Sequence, residues 1–362
     1  MLWPRAACAE FTVNMTPGVT DVSQSVYSLH MTIFWICVVI ALVVFGVMFW
    51  SIIYHRKSKG AQPHPFHEST LVEIAWTIIP LLILVVMAIP ATATLVKMYD
   101  TSDADVDIKI TGYQWKWRYE YLNQNVSFFS NLSTPDDQIQ GKAVKGEHYL
   151  LEVDEPLVVP VGKKIRFLLT ANDVIHSWWV PALAVKKDAI PGFINEAWTR
   201  INEPGIYRGQ CAELCGQNHG FMPIVVQAVT PDAYQQWLAE RQQKAVQESA
   251  LKDKTWTRDE LMARGEQVYG TNCAACHQPS GEGIPPVFPA LKGSSVALGP
   301  IENHIHTVLF GKSGTAMQAF GTQLSEVDLA AVITWERNAW GNSTGDAVTP
   351  QMIVEAKASA SK

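Results

Sequence analysis

Cys211-Ala-Glu213-Leu-Cys215-Gly-Gln-Asn-His219-Gly-Phe-Met222 is the stretch on which the reading of this chain turns. Two thiols, one imidazole and one thioether fall close together, and His176 lies upstream. Thiolate, thioether and imidazole form a ligand set for copper rather than for magnesium or calcium. A single copper of the blue type uses one thiolate and two His. A second cysteine four residues on permits another arrangement, with both sulfurs bridging two coppers and His176 and His219 each serving one. Met222 and the backbone carbonyl of Glu213 then stand as weak axial ligands. Zinc also accepts Cys and His, but it has no redox role and leaves Met222 unused. A Cys211–Cys215 disulfide would leave the His and the Met unexplained.

A second motif lies downstream. Cys273-Ala-Ala-Cys276-His277 is the attachment pattern of a c-type haem, with two thioethers and His277 on the iron. Gly281, Gly283 and Pro285-Pro286 follow, as suits a small cytochrome. The sixth ligand must come from further on. Met317, in Gly314-Thr-Ala-Met317-Gln-Ala-Phe320, is the candidate, and His304 and His306 compete with it. A His/Met pair gives the haem a high potential. A chain with both motifs is built to move electrons.

The bulk properties agree. The net charge of -6 gives nucleic-acid binding no electrostatic support. Of six Cys, four lie in the two motifs, which leaves Cys8 and Cys37 and no disulfide framework. Met31 to Ile53 and Ile74 to Leu95 carry no charge. Each is long enough to cross about 30 Å of hydrocarbon as a helix. Pro80 and Pro90 are expected to kink the second run, which membrane helices tolerate. The loop between the runs begins His55-Arg56-Lys57-Ser58-Lys59, whereas Asp100, Asp103, Asp105 and Asp107 follow the second. The positive-inside rule puts that basic loop in the cytoplasm. Both termini and the metal motifs are then expected in the periplasm, on a two-pass protein of a bacterial inner membrane. Residues 1 to 26 show no apolar signal region, and Arg5-Ala-Ala-Cys8 faintly resembles a lipoprotein cleavage box.

Beyond the apolar runs the period changes to two. Val106, Ile108 and Ile110 alternate with polar residues, as do Trp115, Trp117, Tyr119 and Tyr121. Further strands are expected at 157–161, 165–170 and 224–229, and many short strands between turn residues argue a Greek-key sandwich. Residues 123 to 147 read as an irregular surface excursion. Pro231 opens a polar helix, and 247 to 255 reads as a linker. Thr257-Arg-Asp-Glu260 is a capping-box pattern that starts a helix reaching Tyr269. Ser325-Glu-Val-Asp328 starts a last helix that ends near Asn338. The expected divisions are an N-terminal segment (1–26), a transmembrane hairpin (27–97), an all-β domain (98–230), a helix and linker (231–256), an all-α haem domain (257–340) and a flexible tail (341–362).

The copper loop, the run Tyr113-Gln-Trp115-Lys-Trp117-Arg-Tyr119-Glu-Tyr121 and the helix start Glu73-Ile-Ala-Trp76-Thr-Ile-Ile-Pro80 resemble subunit 2 of the haem–copper cytochrome c oxidases. The likeness covers about residues 11 to 240. Residues 257 to 340 resemble a fused monohaem cytochrome c, as in caa-type oxidases. The resemblance implies a multidomain membrane protein with a two-helix hairpin, a cupredoxin-like sandwich and a cytochrome c domain. It implies a dinuclear CuA centre on His176, Cys211, Glu213 (carbonyl), Cys215, His219 and Met222. The Glu213 side chain would reach a magnesium ion shared with subunit 1. Trp115 matches the family's electron-entry tryptophan, against ordinary sandwich packing. Glu73 matches a glutamate at the mouth of a proton channel, against a carboxylate that simply favours a helix N-terminus.

The implied function is electron entry to a terminal respiratory oxidase. A periplasmic cytochrome c donates, the c-type haem and CuA relay, and subunit 1 reduces oxygen with proton pumping. Subunits 1 and 3 and the bilayer are the implied partners. Two rivals stand beside this reading. One is a CuA subunit of a nitric oxide reductase, which only the partner's active site separates. The other is a membrane-tethered carrier or copper-delivery protein, which co-purification of a large multispan subunit separates.

Overall fold

A computed structural model describes residues 14–62 and 67–360. Cys8 and its neighbours lie outside these residues, as does the middle of the loop after Lys59. The chain divides into two units, up to Leu238 and from Ala239 onward.

The first unit begins with two long helices, α1 (Asp21–Tyr54) and α2 (Thr70–Tyr99). Helix α1 starts well before Met31 because Thr20 and Ser23 cap it reciprocally, side chain to backbone in both directions. Helix α2 continues through Pro80 and Pro90. Their apolar side chains face outward: Leu42 is 70% exposed and Leu71 79%. A soluble protein rarely presents so much contiguous apolar surface, so these helices are two membrane spans and not a buried core.

A β-sandwich follows. Its strands are β1 (Val106–Tyr113), β2 (Lys116–Tyr121), β3 (Val126–Ser130), β4 (Leu157–Pro160), β5 (Ile165–Ala171), β6 (His176–Val180), β7 (Val185–Ala189), β8 (Asn195–Thr199), β9 (Gly205–Cys211) and β10 (Pro223–Val229). They form two sheets, in the orders β3-β2-β1-β5-β8 and β4-β10-β9-β6-β7. Parallel pairings of β1 with β5 and of β4 with β10 join otherwise antiparallel neighbours. Ile108, Ile110, Trp117, Tyr119, Phe167 and Trp178 are fully buried between the sheets. Each fully buried aliphatic side chain contributes about 1.5–3 kcal/mol. Residues 123 to 147 are less irregular than the sequence suggests. Strand β3 pairs with β2, and a turn of helix, α3 (Asp136–Ile139), follows.

Helix α4 (Pro231–Ala250) lays Tyr234, Trp237 and Leu238 on the sandwich core. The expected linker at 247–255 is instead helical as far as Asp253. Trp256 fixes its end by donating Nε1–H to the Leu251 carbonyl at 3.0 Å.

The second unit is all-α: α5 (Arg258–Asn272), α6 (Ala274–His277), α7 (Ser295–Leu298), α8 (Ile301–Phe310), α9 (Glu326–Glu336) and α10 (Pro350–Ala360). The capping box at Thr257 and Glu260 is present, and Ser325 caps α9. Gly265 lets α5 cross α9 closely, because a Cβ there would sit 2.2 Å from the Ala331 carbonyl oxygen. The tail after Trp340 corrects the expectation of a flexible segment. Val348 and Ile353 are fully buried in the core of this unit, and Val348 N–H donates to Thr334 Oγ1 at 2.9 Å. Met352, Ile353 and Ala356 form a short apolar stripe at helical spacing in an otherwise polar tail.

Candidate metal centre

His176 opens β6, Cys211 ends β9, and Cys215 and His219 lie on the loop between β9 and β10. These two strands are neighbours in one sheet, so the ladder itself sets the spacing of His176 and Cys211. The loop returns at Met222, whose carbonyl accepts the Cys211 N–H at 3.0 Å. The sulfurs of Cys211 and Cys215 lie 3.8 Å apart. Each has an imidazole Nδ1 beside it: His176 is 3.9 Å from Cys211, and His219 is 3.5 Å from Cys215. The Glu213 carbonyl is 3.4 Å from Cys211 Sγ. His176 is fully buried, and Cys211, Cys215 and Met222 are nearly so. The ligand atoms of His176, Cys211 and Cys215 all lie within 4.8 Å of one another.

The protons of this cluster are coupled. The Cys211 thiol is pushed down chiefly by its contact with Cys215, against burial and with help from His176. The same contact pushes Cys215 up. The pair releases one proton readily and holds the second, as expected where two anions would share a buried site. Burial lowers the His176 pKa, but Asp173 and Cys211 more than offset it and the pKa is raised. This donor set fits copper: soft sulfur and imidazole converge, and the thiols lie close enough to bridge.

Three contributors escape notice in the sequence. Asp173 Oδ1 holds His176 Nε2 at 2.8 Å, which leaves Nδ1 facing the sulfurs. The other Asp173 oxygen accepts the Gln114 N–H at 2.8 Å. The Gln114 side chain in turn donates to the Cys215 carbonyl at 2.9 Å, and Trp115 Nε1–H donates to that same oxygen at 3.1 Å. The β1–β2 turn therefore grips both sides of the centre. Gly112 completes it, since any Cβ there would lie 2.7 Å from the His176 ring. Of the three, Asp173, three residues before His176, is the one with a local signal that could have found it.

The haem motif occupies one helical turn. Cys276 N–H and His277 N–H both donate to the Cys273 carbonyl, at 3.1 and 2.9 Å. His277 Nδ1 bonds to the Pro289 carbonyl at 2.8 Å, which directs Nε2 elsewhere and fixes the tautomer. Burial pushes the Cys276 thiol up to about 11. Two thiols and a pre-oriented imidazole on one turn fit covalent haem. Met317 lies in the loop between α8 and α9, half-buried against the unit's core. His304 is buried with Nε2 held by Glu336 at 2.8 Å, and His306 is exposed and packs on Phe310. Glu73 sits exposed in the first turn of α2. The Glu213 side chain is exposed.

A two-span β-sandwich with a Cys2His2Met cluster and a c-type haem motif defines a membrane-anchored electron-transfer protein. The family model for cytochrome C oxidase subunit II, periplasmic domain, matches residues 106–229, and that for its transmembrane domain matches 8–93. A third, for cytochrome C oxidase, cbb3-type, subunit III, matches 260–335. The "Probable cytochrome c oxidase subunit 2" of Rickettsia prowazekii is 37% identical over 66% of this chain and 75% of its own length. The "Cytochrome c oxidase subunit 2" of Cyanidium caldarium is 35% identical over 64% of this chain and 91% of its own. Among solved structures, the periplasmic domain of subunit II of cytochrome oxidase of Bradyrhizobium japonicum is 39% identical. It covers 40% of this chain and 98% of its own, with a TM-score of 0.36. The chain belongs to the cytochrome c oxidase subunit 2 family and carries a cytochrome c domain at its C-terminal end. Copper, haem and a subunit 1 partner are what these families imply.

Proposed function

We propose that this chain is the electron-entry subunit of a terminal oxidase, taking electrons from a cytochrome c-type donor and delivering them to subunit 1. Oxygen reduction and proton pumping belong to that partner. The observation that carries the reading is the pair of thiols 3.8 Å apart, each beside one imidazole Nδ1. One bridging pair with one imidazole per side is the donor set of a dinuclear copper centre. His176, Cys211, the Glu213 carbonyl, Cys215, His219 and Met222 would hold it; Cys273 and Cys276 would form the thioethers to a haem whose iron His277 and Met317 would ligate. Copper and haem, when bound, supply reversible one-electron chemistry.

The chain's own residues do the rest. Asp173 holds the His176 proton on Nε2. Gln114 and Trp115 pin the Cys215 carbonyl, so the loop keeps its shape when charge at the sulfurs changes. Nearly complete burial of Met222 excludes water from one side. Trp115 touches the copper loop directly and is only half-buried, which supports its role in electron entry. The exposed Glu213 carboxylate suits a magnesium shared across a subunit boundary. The basic loop after α1 supports a periplasmic sandwich, an inner-membrane location and Glu73 at the cytoplasmic face. Subunit 3 completes the proposed assembly.

Low-temperature EPR of the oxidised full chain, matured with copper and haem, tests this. The expected spectrum shows hyperfine splitting from two equivalent coppers beside low-spin ferric haem. A single-copper spectrum would refute the bridged centre.

A further inference from the structure

Pro289 supplies the acceptor for His277 Nδ1 from a loop with little core of its own. The loop runs over 278–294, between α6 and α7, and its residues Pro285, Pro286, Val287 and Pro289 are exposed. Exposed loops of this kind open at low free energy unless contacts from outside hold them. Where the chain leaves His277, two successive carbonyls are held. The Gln278 carbonyl accepts the Tyr269 hydroxyl at 2.7 Å, and the Pro279 carbonyl accepts the Trp340 Nε1–H at 2.8 Å. The Trp340 ring also presses on Gly281, where a Cβ would come within 2.6 Å of it.

The far end of the loop is held from two positions further along the chain. Asn342 is buried, and its Oδ1 accepts the Gly293 N–H at 2.8 Å. Its Nδ2 donates to the Leu291 carbonyl at 3.2 Å and to the Glu336 carbonyl of α9 at 2.7 Å. Gly281 joins the two ends, because its carbonyl accepts the Leu291 and Lys292 N–H groups at 2.8 and 3.0 Å. One short segment after α9 therefore grips both ends of the loop that carries the His277 acceptor. Its backbone is unusual: Trp340 is left-handed at φ 54°, a conformation that bulky side chains rarely adopt. Such a conformation persists only where the surroundings over-determine it, and it gathers at functional sites. Here the Trp340 ring centre lies 4.9 Å from that of Tyr269 and 4.4 Å from that of Trp335, and the indole N–H is fixed on Pro279.

We infer that Trp340 and Asn342 are positioning residues for the proximal haem ligand. They act through the loop, by keeping the Pro289 carbonyl on His277 Nδ1. A ligand imidazole that donates firmly through its second nitrogen is the more basic ligand and favours the oxidised iron. Loosening the loop weakens that donation, so these two side chains hold the haem potential down. The inference rests on the reading of Cys273, Cys276 and His277 as a haem site.

The test is Trp340→Phe in the full chain matured with copper and haem, which keeps an aromatic ring and removes the indole donor. Redox titration should show the haem potential raised. Hydrogen-exchange mass spectrometry should show the amides of 278–293 opening about fivefold faster, the effect of one hydrogen bond. Asn342→Ser is a second, independent break and should move both readouts in the same direction. Trp256→Phe removes another indole donor of the same unit, outside the loop, and should leave both at the parent's values. A haem potential equal to the parent's in either loop variant overturns the inference, whatever the stability of that variant. So does a shift that Trp256→Phe reproduces. A parent chain that carries no covalent haem overturns the haem reading as well, which tells the two failures apart.

Discussion

Asp173 and His176 form a carboxylate–imidazole pair with Oδ1 and Nε2 2.8 Å apart, and the same imidazole turns Nδ1 toward Cys211. A ligand His whose second nitrogen is held this way has its tautomer and ring plane fixed before metal arrives. Among the described residues no carboxylate pairs with His219 in this way, so the two sides of the cluster are unequally supported. Asp173→Asn should leave the sandwich folded and cut copper affinity by about 10- to 100-fold. Competition titration with a copper chelator measures this. An affinity equal to the parent's would show that the pair does not orient the ligand.

Gly112 is where β1 makes room for the His176 ring. Gly112→Ala places a methyl 2.7 Å from that ring and must push it or the strand aside. Overpacking of this kind costs about 1–3 kcal/mol. Thermal unfolding should show that loss, and copper stoichiometry should fall with it. Gly220, on the ligand loop itself, has nothing within 4 Å of its would-be Cβ. Gly220→Ala should therefore be nearly silent in the same assay.

Met222 is 1% exposed beside the cysteines. Met222→Leu keeps its volume and should cost less than about 1.5 kcal/mol of stability. Two coppers should still bind, while the optical spectrum and potential shift through loss of a weak sulfur ligand. Identical spectra would remove Met222 from the ligand set.

Arg337 in the helical unit is buried and donates twice to Asp346 and also to the Ala297 and Gly299 carbonyls. The Arg337 guanidinium holds the Asp346 carboxyl below its usual range. A depressed folded-state pKa means stability that is present above the unfolded value and lost as pH falls through the folded one. Acidification from pH 5 downward through 3.8 should therefore destabilise this unit, and Asp346→Asn should flatten that dependence. At neutral pH the variant should lose about 1–2 kcal/mol, since the carboxylate is partly solvated. Haem-band melting curves against pH measure both effects.

Most of the candidate cluster was legible because chemistry-bearing residues are scarce and their spacing is short. Cys211, Cys215 and His219 announce a site, and Thr257 with Glu260 announces a helix start. The supporting contacts were not legible. Gly112 and Gln114 matter through strand register and a turn that bring them to residues about 60 and 100 positions away, and no local pattern encodes such pairings. Strands β7, β8 and β9 carry polar residues on half-exposed faces, so their alternation is weak. Helix α10 leaves little trace in the sequence because its apolar stripe spans barely two turns. The membrane spans were the plainest of all, since uncharged runs of that length have few other uses.

Met317, His304 and His306 are the candidates for the sixth haem position. His304 is already committed: its Nε2 bonds to Glu336, and both side chains are buried. Releasing it would leave the Glu336 carboxylate without that partner in the core, which is costly. His306 is exposed on the outer side of α8 against Phe310. Among the described residues nothing engages the Met317 sulfur in this way, and the side chain packs half-buried on the core of the unit. Met317→Ala should lower the haem potential and abolish the weak near-infrared band of a sulfur–iron bond, while His304→Gln should alter stability and leave both unchanged. Redox titration of the full chain decides between them. A potential that follows His304 and ignores Met317 would reverse the assignment.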